Sequence, residues 1–418
     1  MKKTFVFILL TLVMLTTLIA CSNGDLETPG GPSSEPTEAV ENESPTLEGE
    51  NNESPTPEST PAQTAAPYED DNYIYNREVL EFTAYDDSNY ETGIFTLPSV
   101  RGQTPGVTCM EPDGTLYTIA MSNDAPVFSE IGKYCIEDQQ YTPLITLDDG
   151  NSLGYMLGLG ENFIVWKEVI LSGEQMITKL HLCNKSGAED EVIYSDAIDP
   201  ETGGVYAENS NPVVILGSKV FFDTILGYDD EGVMVMDVLC YDAEKKEISV
   251  VAEMAKRPNP YLDGISYLKR GENNEPLLYA NIDGEETFIT EFGDDTADYT
   301  VIGETVYKSL FNYYDPVSVT STNIYVGEEA QPLLEGKTAN YTYHIQGNES
   351  VMVWEITNPE KPVYYDIEND RFVRLSNENT AYYGAYVGDG FVLFLSQVDT
   401  SDPETPLSYI RIRYGQVS

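Results

Sequence analysis

Carboxylates dominate the chemistry this 418-residue chain could perform: 71 Asp and Glu stand beside 22 Lys and Arg, two His and five Cys. No two Cys have the spacing of a zinc or redox motif, and neither a Gly-x-Ser-x-Gly elbow nor a His-Glu-x-x-His occurs. Gly336-Lys337-Thr338 has the tail of a phosphate loop, but Gln331 stands where the first Gly belongs; Gly158-x-Gly160 opens a strand pattern rather than a helix. His181 sits inside an apolar strand pattern and His344 lies beside Tyr341 and Tyr343, neither with the positioned partner a base needs. Paired carboxylates are the chemistry of glycoside hydrolysis, yet among so many acids no two stand out. The clusters Asp148-Asp149, Asp229-Asp230-Glu231 and Asp294-Asp295 with Asp298 lack the spaced oxygens and terminal Glu of a calcium loop. The sequence thus names no catalytic residue, no metal ligand and no cofactor, which weighs against an enzyme.

One residue does have a chemical assignment, and it lies outside any core. Lys2-Lys3 precede an apolar run from Phe5 that ends in Leu18-Ile19-Ala20-Cys21. This resembles the lipobox of bacterial lipoproteins, which implies that residues 1–20 are a signal peptide, that Cys21 is the lipidated N-terminus, and that the rest lies on the outer face of the cell membrane. The apolar run, interrupted by Thr11, Thr16 and Thr17, falls short of the roughly 20 residues that span a bilayer. The resemblance makes the membrane a partner through acyl chains, each buried methylene contributing about 0.8 kcal/mol.

From Cys21 to Tyr68 the chain is Ser, Thr, Pro, Glu, Gly and Asn with almost no large apolar residue except Leu26 and Leu47, so it has no core to build. It carries acids from Asp25 to Glu58 and no Lys or Arg, which extends it by self-repulsion and makes it a disordered stalk. Without Lys2 and Lys3 the protein has 20 basic against 71 acidic residues, a net charge of −51. A body this acidic repels nucleic acid and anionic lipid alike.

Residues 69–418 are too many for an ordinary single core unless built from repeats. Seven times a Gly in a polar turn precedes an apolar, β-branched run: Gly114, Gly160, Gly217, Gly264, Gly303, Gly347 and Gly388, at intervals of 39 to 57 residues. Two units match further, with Cys183 and Cys240 each 23 residues beyond their Gly and the polar turns Asn184-Lys185-Ser186-Gly187 and Tyr241-Asp242-Ala243-Glu244 closing the third strand of each. Strands that are apolar on both faces fit blades stacked against blades. The pattern is similar to the β-propellers of secreted bacterial proteins, including those of TolB type, and implies an all-β propeller of seven blades, within a range of six to eight. Val79–Thr83 and Gly93–Leu97 precede the first unit and are expected to add strands to the last blade and close the ring. A pair of β-sandwiches is the competing architecture.

Four Cys remain in this domain. Cys109 and Cys135 fall in the first unit, within reach of each other if their strands are neighbours; Cys183 and Cys240, at matching places in adjacent units, are expected to be buried thiols. Trp166 and Trp354, at similar offsets from their turns, are expected to be buried on inner strands of separate blades. Tyr313-Tyr314, Tyr364-Tyr365 and Tyr382-Tyr383 either pack in the core or line a mouth of the ring, at most one of each pair being free to do so. The reading that results is a membrane-tethered binding or scaffold protein that recognises a protein or carbohydrate through propeller loops. A polysaccharide-active enzyme with carboxylates in a central pocket is the alternative.

Overall fold

The computed structural model describes residues 74–75, 79–81, 90–122, 127–150, 152–172, 175–198, 213–229, 234–272, 275–292, 296–310, 321–326, 331–337, 342–356, 363–374, 381–397 and 406–413. Residues 1–73, which hold the expected signal peptide, Cys21 and the expected stalk, lie outside the described residues. Among these residues there is no helix, and none therefore long and apolar enough to cross a membrane.

Three strands come first, β1 (Ile74–Tyr75), β2 (Val79–Glu81) and β3 (Tyr90–Phe95). Blade 1 follows as β4 (Gly106–Met110), β5 (Leu116–Met121), β6 (Val127–Cys135) and β7 (Gln140–Gly150). Blade 2 is β8 (Ser152–Leu159), β9 (Phe163–Ser172), β10 (Gln175–Asn184) and β11 (Glu191–Ile198). Blade 3 is β12 (Val214–Leu216), β13 (Lys219–Tyr228), β14 (Met234–Asp242) and β15 (Glu247–Ala252). Blade 4 is β16 (Ala255–Tyr261), β17 (Gly264–Arg270), β18 (Pro276–Ile282) and β19 (Glu285–Glu291). Blade 5 is β20 (Thr296–Ile302), β21 (Thr305–Leu310), β22 (Ser321–Val326) and β23 (Gln331–Lys337). Blade 6 is β24 (Thr342–Asn348), β25 (Val351–Ile356), β26 (Val363–Asp366) and β27 (Arg371–Arg374). The last run has only β28 (Ala381–Val387), β29 (Phe391–Gln397) and β30 (Leu407–Arg413).

Six blades are thus consecutive antiparallel four-strand sheets, and the seventh is composite: β3 pairs with β30 from Tyr90↔Ile412 to Phe95↔Leu407 and supplies its fourth strand. The first strands of successive blades touch all the way round, from β4 through β8, β12, β16, β20, β24 and β28 back to β4. They surround the axis, and the fourth strands lie outermost. The fold is a β-propeller whose ring is closed by an N-terminal strand, which removes the sheet edges an open ring would expose. Gly93 to Phe95 therefore closes the last blade as expected. Val79–Glu81 does not: β2 runs parallel to β27 on the outside of blade 6, while β1 adds antiparallel to β23 on blade 5.

The core is seven layers, one between each pair of neighbouring blades. Tyr117 and Ile131 of blade 1 meet Ile164, Trp166 and Cys183 of blade 2. Val165 and Leu182 of blade 2 meet Val220 and Phe222 of blade 3, and Phe221 and Cys240 of blade 3 meet Ile265 and Tyr267 of blade 4. The series runs on to Leu393 and Leu407 of blade 7, which pack with Phe95 on Leu116 and Tyr134 of blade 1. Strands such as β5, β17 and β29 are buried on both faces, which explains the unbroken apolar runs, while the outermost strands β15 and β19 are largely exposed.

These layers also correct one expectation. Cys183 faces backward to blade 1, and Cys240 faces forward to blade 4. The turn before β9 is Gly160–Asn162, three residues, and that before β13 is Gly217-Ser218, two; one residue of offset sends the side chain to the other face. Tyr241, packed with Val220 and Phe222 toward blade 2, holds the place that Cys183 holds in its blade. Trp166 and Trp354 are equivalent, the second backward-facing positions of β9 and β25, buried at 2% and 0% exposure. They sit on the second strand from the axis, not the innermost.

Candidate functional site

In a ring of four-stranded meanders, the connections from first to second and from third to fourth strand fall at one end. Those from second to third, and from each blade to the next, fall at the other. At the first, or turn, end no connection among the blades exceeds six residues. At the second, or loop, end they reach fifteen residues (199–213), ten (96–105 and 311–320) and nine (398–406).

The turn end is built by local hydrogen bonding. Asn184 Oδ1 accepts from the Ser186 and Ala188 amides, both at 3.0 Å. Asp242 Oδ1 takes Glu244 and Lys245 at 3.1 Å, and Asp366 Oδ1 takes Asn369 at 3.1 Å. Each of these residues ends the third strand of its blade, where a short side-chain acceptor replaces a lost ladder partner. Neighbouring blades are laced together at the same end. Glu111 accepts from Tyr117 Oη at 2.6 Å and from Lys185 Nζ of blade 2 at 2.7 Å. Glu191 accepts from Tyr241 Oη at 2.8 Å and Lys246 Nζ of blade 3 at 2.7 Å. The Lys246 hydrogen bond holds the Glu191 carboxyl below its ordinary range, while burial, with Glu191 beside it, pushes the Tyr241 phenol up to about 12.

The innermost strands have a different composition. The seven innermost strands carry Tyr155, Tyr261, Tyr299, Tyr343, Tyr382, Tyr383 and Tyr386 but a single carboxylate, Asp298. In so acidic a protein that is a marked depletion. Tyr343, His344, Tyr382 and Tyr383 fall at the loop-end starts of β24 and β28, on adjacent blades.

The densest buried polar group lies inside blade 2. The Trp166 and His181 rings stack at 3.9 Å, and Asp190 meets Trp166 Nε1 and His181 Nδ1, both at 2.9 Å. Glu168 Oε2 accepts from Lys179 Nζ at 3.0 Å and lies 3.4 Å from His181 Nε2. With 6% exposure, His181 offers no face to a substrate, so the group pins β9 to β10 rather than acting as a base. Two lysines are also buried on second strands. Lys167 lies 5.3 Å from the Tyr155 ring centroid, and burial lowers its amine to about 8. Lys308 lies over Phe292 at 5.1 Å, and burial lowers it too.

The residues singled out by sequence fall as follows. Cys109 and Cys135 are unbridged: they lie on β4 and β6 with β5 between, about two strand spacings or ~9.6 Å apart, beyond the reach of a disulfide. Burial pushes Cys109 and Cys183 up to about 12, far from thiolate reactivity. Tyr364 and Tyr365 are core on opposite faces of β26, facing blades 7 and 5, with Tyr365 stacked on Phe372 at 4.4 Å. Asp148 pairs with Arg101 at 2.6 Å and Asp229 with Arg270 at 2.5 Å. Among the described residues no cluster of His, Cys, Asp and Glu is arranged to hold a metal. Tyr313-Tyr314, Asp230-Glu231 and Asp294-Asp295 lie outside the described residues.

No protein-family model matches the chain, and no curated protein does. Solved structures do. The β-propeller domain of the Trilobed protease from Pyrococcus furiosus, described as having an open velcro topology, is 10% identical over 73% of this chain and 93% of its own, with a TM-score of 0.47. Acylaminoacyl peptidase of Pyrococcus horikoshii is 8% identical with a TM-score of 0.46; the match covers 70% of this chain and 49% of the peptidase, so the chain spans about half of that enzyme. An oligogalacturonate lyase in complex with manganese is 11% identical over 76% of this chain and 79% of its own, with a TM-score of 0.38.

Proposed function

We propose that the chain is a lipid-anchored recognition or scaffold protein on the outer face of a bacterial cell membrane, taking a protein or carbohydrate partner at the loop end of its propeller. The observation that carries this reading is the contrast between the two ends, with connections of up to fifteen residues at the loop end against six or fewer at the turn end. Tyr343, Tyr382 and Tyr383 stand at the loop-end starts of β24 and β28, and tyrosine is a residue type suited to sugar and protein contacts. A polysaccharide hydrolase needs two carboxylates about 5 to 10 Å apart, and the axis strands carry Asp298 alone. Connections of nine to fifteen residues at the loop end supply surface that varies without disturbing the layers beneath. The anchor is Cys21, and the acidic stalk that follows it is the spacer between lipid and propeller.

The test has two arms. The full chain expressed in a bacterial host is expected to take up labelled palmitate, and Cys21→Ser is expected to take up none; an unlabelled wild type contradicts the anchor. The same chain, screened against cell-wall and capsular polysaccharides and envelope proteins, is expected to lose its bound partner by more than about tenfold when 199–213 is replaced by a short Gly-Ser link. Release of new reducing ends from any polysaccharide makes it an enzyme and overturns the reading.

A further inference from the structure

The outermost strands of the blades are not treated alike. Blades 5 and 6 are covered by β1 and β2, and blade 7 takes its outer strand from the same N-terminal segment. Among the described residues β3, β7, β11, β15 and β19 carry nothing on their outer side. An uncovered strand presents a row of backbone donors and acceptors ready to pair. Five of the exposed large apolar side chains lie on four of these strands: Ile94, Val192, Ile248, Val250 and Phe288.

Blade 4 stands out by charge. In β19, Glu285, Glu286, Thr287, Phe288 and Glu291 are exposed, and Glu285–Phe288 pair in unbroken register with Ile282–Tyr279. Phe288 is 49% exposed and leans edge-on against Tyr279 at 5.5 Å, which fixes its ring at the rim. Glu286 is engaged by Tyr267 Oη at 2.6 Å and Lys269 Nζ at 2.9 Å. Glu285 and Glu291 bracket Phe288 from either end of the strand.

We infer that β19 is an acceptor edge for an extended segment of a partner protein in which basic and apolar residues alternate. Main-chain pairing along Glu285–Phe288 would add a fifth strand to blade 4, as β1 does to blade 5, with an apolar side chain covering Phe288 on one face and a basic one meeting Glu285 on the other, while Glu291, beyond the register shift at Leu278/Tyr279, adds negative charge at the end of the strand. A second copy of this chain is the wrong occupant, since edge-to-edge pairing of β19 with itself sets Glu against Glu in a chain of net charge −49. The same repulsion makes the edge selective for a basic strand. This inference is independent of what the loop end binds.

The probe is a fluorescent acetyl-Lys-Val-Lys-Val-Lys-Val-Lys amide titrated with the full chain and read by anisotropy. Saturable binding is expected. It should weaken about fivefold in Phe288→Ala and at least tenfold in the Glu285→Lys, Glu291→Lys double variant, an effect of the size that interface anchors and charge reversal produce. A peptide N-methylated at alternate residues keeps charge and side chains but loses the donors, and is expected to lose at least tenfold against unaltered protein. Equal binding of the N-methylated peptide reduces the interaction to charge alone and overturns the inference, as does absence of binding or indifference to the double variant. Self-association abolished by Phe288→Asp would give the edge to a second copy and overturn it too.

Discussion

The turn end and the loop end of this propeller are made under different constraints. At the turn end no connection exceeds six residues, several are capped by a side-chain oxygen such as Asn184 or Asp242, and adjacent blades are tied by Tyr–Glu–Lys triplets such as Tyr117–Glu111–Lys185. At the loop end the connections differ in length from one residue to fifteen, with ion pairs such as Arg270–Asp229 between blades 3 and 4. Both ends are acidic, so charge does not separate them; geometry does. The lesson is that one end specifies the register of the strands, leaving the other to vary.

The comparison breaks outright if the ring is not closed. Truncation after Ser376 removes β28 to β30 and the partner of β3, uncovers both flanking layers, and is expected to cause aggregation on sizing chromatography rather than a modest loss of stability. A monomeric 1–376 chain with cooperative melting would mean an open array.

Next in size is the core that both ends share. Trp354→Ala, at a fully buried site packed on Met352, Tyr365 and Phe372, is expected to cost about 3 to 5 kcal/mol in urea unfolding. A value under about 1 kcal/mol would detach the blade 5–6 layer from the fold.

A turn-end cap should matter less, though still measurably. Asp366 is 1% exposed and its Oδ2 takes Asn369 Nδ2 at 2.8 Å and Arg371 at 3.2 Å. Asp366→Ala strands those donors and should cost about 2 to 3 kcal/mol. A loss no larger than that of an exposed loop-end acid would erase the contrast.

The subtlest prediction concerns Lys167, whose amine is lowered to about 8 by burial. Because the unfolded chain binds this proton up to about pH 10.4 and the folded one only up to about 8, folding is penalised below pH 8 and the penalty fades as pH rises to 10.4. Lys167→Met should therefore gain stability relative to wild type at pH 7 and lose about 3 kcal/mol of that advantage by pH 10.4, in paired denaturation curves. A pH-independent difference would show that the amine stays charged.

Much of this was legible in the residues. Each Gly singled out from the sequence lies in or near the turn between first and second strands of its blade; at Gly114, Gly217 and Gly303 the turn needs a positive φ, of 96°, 58° and 60°, and at Gly264 and Gly347 a side chain would run into the backbone of Asn281 and Val351. The polar turns after Cys183 and Cys240 were visible because they need Asn184 and Asp242 as side-chain acceptors. What stayed hidden was phase. Cys183 and Cys240 match in distance from their Gly, yet a turn longer by one residue turns them to opposite interfaces, and residue counts do not reveal which turn is longer. β1, two residues long, was illegible because so short a strand has no periodicity of its own, whereas β2 was legible as a strand within Val79–Thr83 but its partner, β27 of blade 6, was not. His181 looked like a lone core histidine; only the fold brings Asp190 and Glu168 to its two nitrogens. For the axis, composition was readable but place was not, since the depletion of acids appears only when seven distant segments are gathered.

The most direct test of the two-ended account is an insertion pair. An eight-residue Gly-Ser segment placed within 199–213 at the loop end, and the same segment placed between Lys185 and Ser186 at the turn end, are compared by urea denaturation of the full chain. The account predicts a loss of no more than about 0.5 kcal/mol for the first and more than about 2 kcal/mol for the second, where the Asn184 cap and the Lys185–Glu111 tie are broken. Equal losses at both ends, or a larger one at the loop end, would contradict it.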